Sequence, residues 1–91
     1  MARSPLEAVV RHEGRLDVMC CLDDEGPLGV KQLIARTGKP RVAVDHHLKL
    51  LNAIDLVNRI HVDGDAPLYE LTLDDHPDWV REAVEEHRHR D

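Results

Sequence analysis

The strongest structural pattern of the chain lies in the octapeptide Val44-Asp45-His46-His47-Leu48-Lys49-Leu50-Leu51. Its apolar residues Val44, Leu48 and Leu51 follow one another at i, i+4 and i+7, which is the spacing of a buried stripe on an α-helix. Arg41, Asp45 and Lys49 repeat at i, i+4 and i+8 and so share a different face of the same helix. The pattern predicts a helix that begins at Pro40, ends near residue 52, and packs one face while exposing another.

The segments on either side of this helix predict a helix-turn-helix followed by a hairpin. A shorter helix over residues 30–37 is expected upstream, and Gly38 ends it because glycine readily adopts the left-handed conformation of a helix end. Asp55 also tolerates that conformation and follows the long helix. The periodicity then changes to about two, which predicts strands over residues 56–62 and 68–73 around the turn Asp63-Gly64-Asp65.

The ends of the chain complete a mainly helical fold. Ser4-Pro5 is a typical helix start, and Glu13-Gly14 is expected to end that first helix. A second helix is predicted over residues 15–23, with a very short strand at Leu28-Gly29. A last helix is predicted over residues 77–89, capped by Asp74 or Asp75. The expected fold is a winged helix-turn-helix in the order ααααββα, and residues 1–91 form a single domain.

The net charge of −6 hides an uneven distribution of charged residues. Residues 30–61 carry six basic side chains and two acidic ones, whereas both flanking segments are acidic. The binding of phosphate groups depends on the local potential rather than on the total charge. The basic middle segment therefore coincides with the predicted helix-turn-helix and indicates a nucleic-acid-binding surface.

Composition excludes several other classes of protein. Trp79 and Tyr69 are the only aromatic residues, so the stacking platforms of single-strand-binding proteins are absent from the sequence. No apolar stretch has the length of a membrane span and no signal-peptide pattern opens the chain, so a cytoplasmic location is expected.

The adjacent Cys20 and Cys21 lack metal-knuckle spacing and are expected at a core boundary. The sequence contains no pattern of catalytic groups, and we expect no enzyme activity.

Four segments together resemble the ArsR-type metalloregulators and their winged-helix relatives. They are Gly26-Pro27-Leu28-Gly29-Val30-Lys31-Gln32-Leu33, Arg36-Thr37-Gly38, the octapeptide at residues 44–51, and Leu56-Val57. The hexapeptide His46-His47-Leu48-Lys49-Leu50-Leu51 followed by Leu56-Val57 is the most specific part. The resemblance implies a transcriptional repressor that binds a palindromic operator in double-stranded DNA as a homodimer.

In that role the helix over residues 40–52 would enter the major groove. Arg41 lies in its first turn and is suited to the O6 and N7 atoms of guanine, whereas Asp45 is suited to cytosine N4 or to an ion pair within the helix. Lysines are better suited to phosphates. The full set of expected DNA-binding residues is Lys31, Lys39, Arg41, Val42, Asp45, His46, Lys49, Arg59 and His61. His47 precedes the buried Leu48 and is expected to be packed rather than to read a base.

An alternative function is a winged-helix module that binds another protein. Asp45 lies in the middle of the expected DNA face, and Asp63 and Asp65 lie at the tip of the expected wing. Carboxylates at these places repel phosphates. Salt-dependent binding to operator-like DNA distinguishes the two functions, because binding between proteins does not depend on counterion release from DNA.

The resemblance also implies an effector site for Zn²⁺, Co²⁺ or Ni²⁺ near the ends of the last helix. One version of that site has Asp-x-His, then ten residues, then His, which matches Asp74, His76 and His87. The fourth ligand would fall at Arg90, which cannot coordinate a metal. Eleven residues span about 16 Å along a helix, so His76 and His87 would bind one ion only between two chains.

A homodimer is expected to form through the first and last helices. The apolar residues of these helices exceed what a small core is expected to bury, and two-fold symmetry matches a palindromic operator. These residues are Leu6, Val9, Val10, Trp79, Val80 and Val84.

Overall fold

The computed structural model describes residues 4–90 and has the expected element order of five helices and one hairpin. The helices are α1 (Pro5–Val10), α2 (Glu13–Glu25), α3 (Val30–Thr37), α4 (Arg41–Ala53) and α5 (Asp78–Arg88). The strands are β1 (Val57–Ile60) and β2 (Leu68–Leu71), which pair antiparallel with Val57 opposite Leu71. Leu28 adds a single bridge to Tyr69, which confirms the very short strand before α3. The fold is a winged helix-turn-helix.

The core is aliphatic and draws residues from every helix and from the hairpin. Val44, Leu48 and Leu51 of α4 are almost completely buried, which confirms the predicted stripe. Leu33 of α3 and Leu56 before β1 lie in the same core. The opposite face of α4 is therefore held toward solvent by the burial of this stripe.

Two backbone conformations that the sequence predicts set the geometry on either side of α4. Gly38 has φ of 71° in the left-handed region, and its N–H donates to Ile34 O at the end of α3. Asp55 has φ of 60° and is the one non-glycine residue with positive φ among residues 4–90. These residues turn the chain into α4 and out of it toward β1.

The prediction that Glu13-Gly14 ends the first helix is wrong. Helix α1 already ends at Val10, and both residues lie in the first turn of α2, where His12 Nδ1 accepts from Arg15 N at 3.4 Å. A Cβ atom on Gly14 would lie 3.0 Å from His47 Nε2 and 3.2 Å from His12 Cε1. Glycine is thus favoured by the close approach of two imidazole rings to the helix, rather than by a helix end.

The predicted cap of the last helix is also wrong. Pro77 is the residue at the cap position of α5, and no side chain accepts a hydrogen bond there. Asp74 and Asp75 belong to a turn in which His76 N donates to Leu73 O at 3.1 Å. This turn leaves both carboxylates upstream of the free amides of the first helical turn.

The expected surplus of apolar residues on α1 and α5 is smaller than the sequence suggested. Val80 and Val84 are fully buried within the single chain because α5 packs along α2, and Val10 is buried at the end of α1, which also contacts α2. Leu6, Val9 and Trp79 remain partly buried. A dimer interface at these helices therefore has three of the six expected apolar residues available.

Candidate nucleic-acid interface

The exposed face of α4 and the hairpin form one continuous polar surface. Lys31, Arg41, Asp45 and Arg59 line a groove between the start of α3, α4 and the hairpin. Asp45, Lys49 and Arg59 line a neighbouring groove farther along α4. The structure thus brings together five of the nine residues that the sequence assigned to DNA binding.

Arg41 and Asp45 form an ion pair on this surface. Arg41 Nε lies 3.6 Å from Asp45 Oδ2, and both side chains are largely exposed. An exposed pair one helical turn apart contributes little to stability and is easily opened. The carboxylate therefore orients the guanidinium in the first turn of α4 without fixing it there.

Val42 is the one large apolar side chain that is strongly exposed among the described residues, at 81% of its surface. It lies beside Arg41 in the first turn of α4, and His46 is exposed one turn later. Neither residue lines the two grooves. An unburied valine at the start of this helix offers the kind of apolar surface that contacts a thymine methyl group.

The remaining expected DNA contacts have different surroundings. His61 is exposed beyond the end of β1. Lys39 is held against α2, where its Nζ lies 2.9 Å from Asp17 Oδ2. The sequence gives no sign of this contact, because Asp17 and Lys39 are 22 positions apart and no local spacing connects them.

His47 is packed, as the sequence predicts. Only 7% of its surface is exposed, and its ring lies 5.3 Å from that of His12 and 6.0 Å from that of His46, between ring centroids. Burial lowers the pKa of His47 to about 4, and the positive charges of Arg15 and nearby groups add to this. The residue is therefore neutral near pH 7, and it packs on the buried side of α4.

The two cysteines lie half-buried and unpaired with each other at the core boundary, as predicted. Burial raises the pKa of Cys20 to about 11, and Cys20 Sγ lies 3.5 Å from Val84 O. Burial also raises the pKa of Cys21. Both side chains are thus protonated thiols at neutral pH, and the thiolate form needed for metal binding is suppressed.

The three expected metal ligands lie in separate contacts within the chain. Asp74 pairs with Arg81 at 3.6 Å, and His76 Nε2 lies 2.8 Å from Asp55 O. His87 Nε2 lies 2.6 Å from Asp17 Oδ1, and its Nδ1 atom is buried without a partner. Within residues 4–90 no three such side chains are arranged to hold a metal ion.

Because Nε2 of His87 contacts Asp17 and its Nδ1 atom is buried, a metal ion could bind His87 only after this side chain moves. As found, these residues do not fit a metal ion, and the site between two chains stays a prediction.

No helix within residues 4–90 combines the length and the apolar composition needed to cross a membrane.

Several solved structures share this fold. YusO from Bacillus subtilis is 26% identical with a TM-score of 0.73, over 92% of this chain and 60% of that protein. BpsR from Bordetella bronchiseptica, whose DNA binding is regulated by 6-hydroxynicotinic acid, is 27% identical with a TM-score of 0.65, over 80% and 53% of the two chains. A MarR-family regulator from Silicibacter pomeroyi is 18% identical with a TM-score of 0.73, over 90% and 55%, and is similar in fold.

The chain spans between about half and three fifths of the length of these structures. No curated protein matches it. The family model of bacterial regulatory proteins of the arsR family matches residues 12–59, from the first residue before α2 to the middle of β1. This match covers more than half of the chain and includes the whole helix-turn-helix, so the chain belongs to the ArsR family of bacterial regulatory proteins.

Proposed function

We propose that this chain is a DNA-binding transcriptional repressor that acts as a homodimer on a palindromic operator. Residues 1–91 serve as one DNA-binding domain, with α4 in the major groove and the hairpin against the flanking backbone. The proposal rests on the two faces of α4, one of which is buried in the core while the other is exposed. Val44, Leu48 and Leu51 anchor one face in the core, while Arg41, Val42 and Lys49 lie exposed on the helix.

The exposed residues take different roles in this proposal. Arg41 and Val42 in the first turn of α4 read base edges, the arginine a guanine and the valine a thymine methyl group. Lys31, Lys49 and Arg59 contact phosphates and fix the position of the helix. His46 and His61 are exposed and add contacts to the DNA backbone in this proposal.

Selection of bound duplexes from a random pool tests the proposal. The expected result is a palindromic consensus whose half-sites lie one helical turn apart and contain a guanine next to a thymine. A pool that stays random after repeated rounds at moderate salt would contradict the proposal.

A protein-binding role is the second candidate, and the acidic hairpin favours it. Asp63 and Asp65 flank Gly64 at the exposed tip of the hairpin, where a phosphate-binding wing would carry cations. Binding of a protein partner with no salt-dependent binding to any duplex would support this second role over the first.

Release of DNA by Zn²⁺, Co²⁺ or Ni²⁺ requires a rearrangement at His87. Titration calorimetry of the parent protein with each metal is the test. Stoichiometric heat that is lost in both His76→Ala and His87→Ala would support a site between two chains. The absence of such heat, or metal binding that survives both substitutions, would exclude these histidines as ligands.

A further inference from the structure

One carboxylate connects three parts of the fold. Asp17 of α2 contacts Lys39 Nζ through Oδ2 at 2.9 Å and His87 Nε2 through Oδ1 at 2.6 Å. Lys39 lies in the turn before α4, and His87 lies in the last turn of α5. The turn that leads into the DNA-facing helix is thereby joined to the last helix through a single side chain of α2.

The backbone of Lys39 is held by a hydrogen bond to Thr37. Thr37 Oγ1 donates to Leu33 O at 2.7 Å and accepts from Lys39 N at 3.3 Å. The lysine side chain lies against α2, with 22% of its surface exposed. A cation that precedes Arg41 by two residues is thus turned away from solvent by its contact with Asp17.

Asp17 is ionised at neutral pH, as this contact requires. Burial raises the pKa of its carboxyl group, but the hydrogen bonds from His87 and Lys39 outweigh burial and leave the pKa below its ordinary value. The neighbouring cations form ion pairs with other carboxylates: Arg36 pairs with Glu25 at 2.9 Å, and Arg88 pairs with Asp24 at 2.8 Å. Within residues 4–90, Asp17 is the one carboxylate that pairs with Lys39.

We propose that Asp17 restrains DNA binding, because its carboxylate holds the Lys39 ammonium that would otherwise contact a DNA phosphate. DNA and α2 then compete for the same lysine. The proposal rests on the DNA-binding function proposed above. Since His87 holds the second oxygen of the carboxylate, the competition also connects α5 with the turn before α4.

The substitution Asp17→Asn removes the charge and keeps the shape of the side chain. Lys39 then becomes available to a phosphate, so binding to a fixed duplex is expected to tighten several-fold at low salt. One added phosphate contact makes the slope of log K against log salt steeper by about one unit. Anisotropy titrations over a series of salt concentrations measure both quantities.

Asp24→Asn is the matched control, since it removes the same charge from the same helix and its partner is Arg88 rather than Lys39. A general loss of negative charge tightens binding in both variants, but the steeper slope is expected in Asp17→Asn alone. In the double variant Asp17→Asn with Lys39→Ala, the slope is expected to return to that of Lys39→Ala. Equal slopes in Asp17→Asn and Asp24→Asn, or weaker binding in Asp17→Asn, would overturn the proposal.

Lys39→Ala in the parent protein provides a second test that leaves Asp17 intact. Lys49 is exposed and has no ion-pair partner within residues 4–90, so Lys49→Ala is expected to lose more affinity than Lys39→Ala. An equal or larger loss in Lys39→Ala overturns the competition. Failure of the parent to bind any duplex contradicts the DNA-binding function itself and is a separate outcome.

Discussion

At the scale of the residue, the proposed function gives the two ends of the exposed face of α4 different roles. Arg41 lies in the first turn, oriented by Asp45 at 3.6 Å, whereas Lys49 lies two turns later beside Arg59. A planar guanidinium can bond two atoms of one base, and an ammonium acts on phosphates as a point charge. Loss of the first should therefore change which sequence is bound, and loss of the second should change how tightly any sequence is bound.

Arg41→Ala is expected to weaken binding to the selected operator by about 1–3 kcal/mol and to relax the preference at one base pair. Lys49→Ala is expected to weaken binding to operator and unrelated duplexes alike and to reduce the salt slope by about one unit. Titrations with the operator and with single-base variants measure both effects. Unchanged preference at every base pair in Arg41→Ala would remove this residue from base reading.

The lowered pKa of His47 is expected to make the stability of the folded chain depend on pH. Its pKa is about 4 in the folded chain, while an unfolded histidine titrates near 6.5. Between these values the unfolded state binds a proton that the folded state does not, so the free energy of unfolding falls as the pH is lowered through this window. The expected loss from pH 7 to pH 4 is about 1–3 kcal/mol.

Urea unfolding at a series of pH values measures this effect. His47→Gln is expected to flatten the profile in the window, and the exposed His46→Gln serves as control. A profile in His47→Gln as steep as that of the parent would assign the pH dependence to other groups.

At the scale of the element, the sequence predicts the helices and the hairpin because their signals are local. The stripe of α4 and the positive φ of Gly38 and Asp55 follow from spacing and residue type. The sequence predicts a helix end at Gly14 because an isolated glycine near a helix boundary usually marks one. The tightest contact at this glycine is with the ring of His47, 33 residues away, which no local pattern reveals.

In the candidate site, too, local spacing predicts some features and the packing of distant segments determines others. The order of charges along α4 predicts which side chains share its exposed face, and Arg41, Asp45 and Lys49 lie there. The contact of Lys39 with Asp17 depends on how α2 packs beside the turn before α4. Non-local packing of this kind is a property of the folded chain, and spacing within a segment does not contain it.

The hairpin is the element whose charge opposes DNA binding. Asp63→Asn with Asp65→Asn removes two exposed carboxylates while keeping residues that suit a turn. Affinity is expected to increase for all duplex sequences, and the gain is expected to shrink as salt screens the charges. Asp74→Asn with Asp75→Asn is the control, since it removes two exposed carboxylates from another turn. An equal gain in the control would mean that the hairpin does not lie near the DNA.

At the scale of the whole molecule, α1 and α5 leave apolar surface incompletely covered. Leu6 and Trp79 are half-buried, and the guanidinium of Arg11 lies 5.1 Å from the centroid of the Trp79 ring. A 91-residue chain buries a modest core, and association of two copies adds to it. A dimer through these helices would place two copies of α4 for two half-sites of an operator.

Sedimentation at tens of micromolar is expected to show a dimer. Leu6→Asp places a charge in the proposed interface and is expected to shift the equilibrium toward monomer, whereas Ala8→Asp on the exposed side of α1 leaves it unchanged. A monomeric parent, or equal behaviour of the two variants, would contradict an interface at α1.

Sequence-specific DNA binding by the basic surface of this acidic chain can be tested in a single titration. The duplex from upstream of the protein's own coding region is compared with an unrelated duplex of equal length over a range of salt concentrations. The expected result is preference for the upstream duplex by a factor of about 10³ or more, with affinity for both falling linearly in log salt. Equal affinity for the two duplexes, or binding to neither at low salt, would contradict sequence-specific DNA binding.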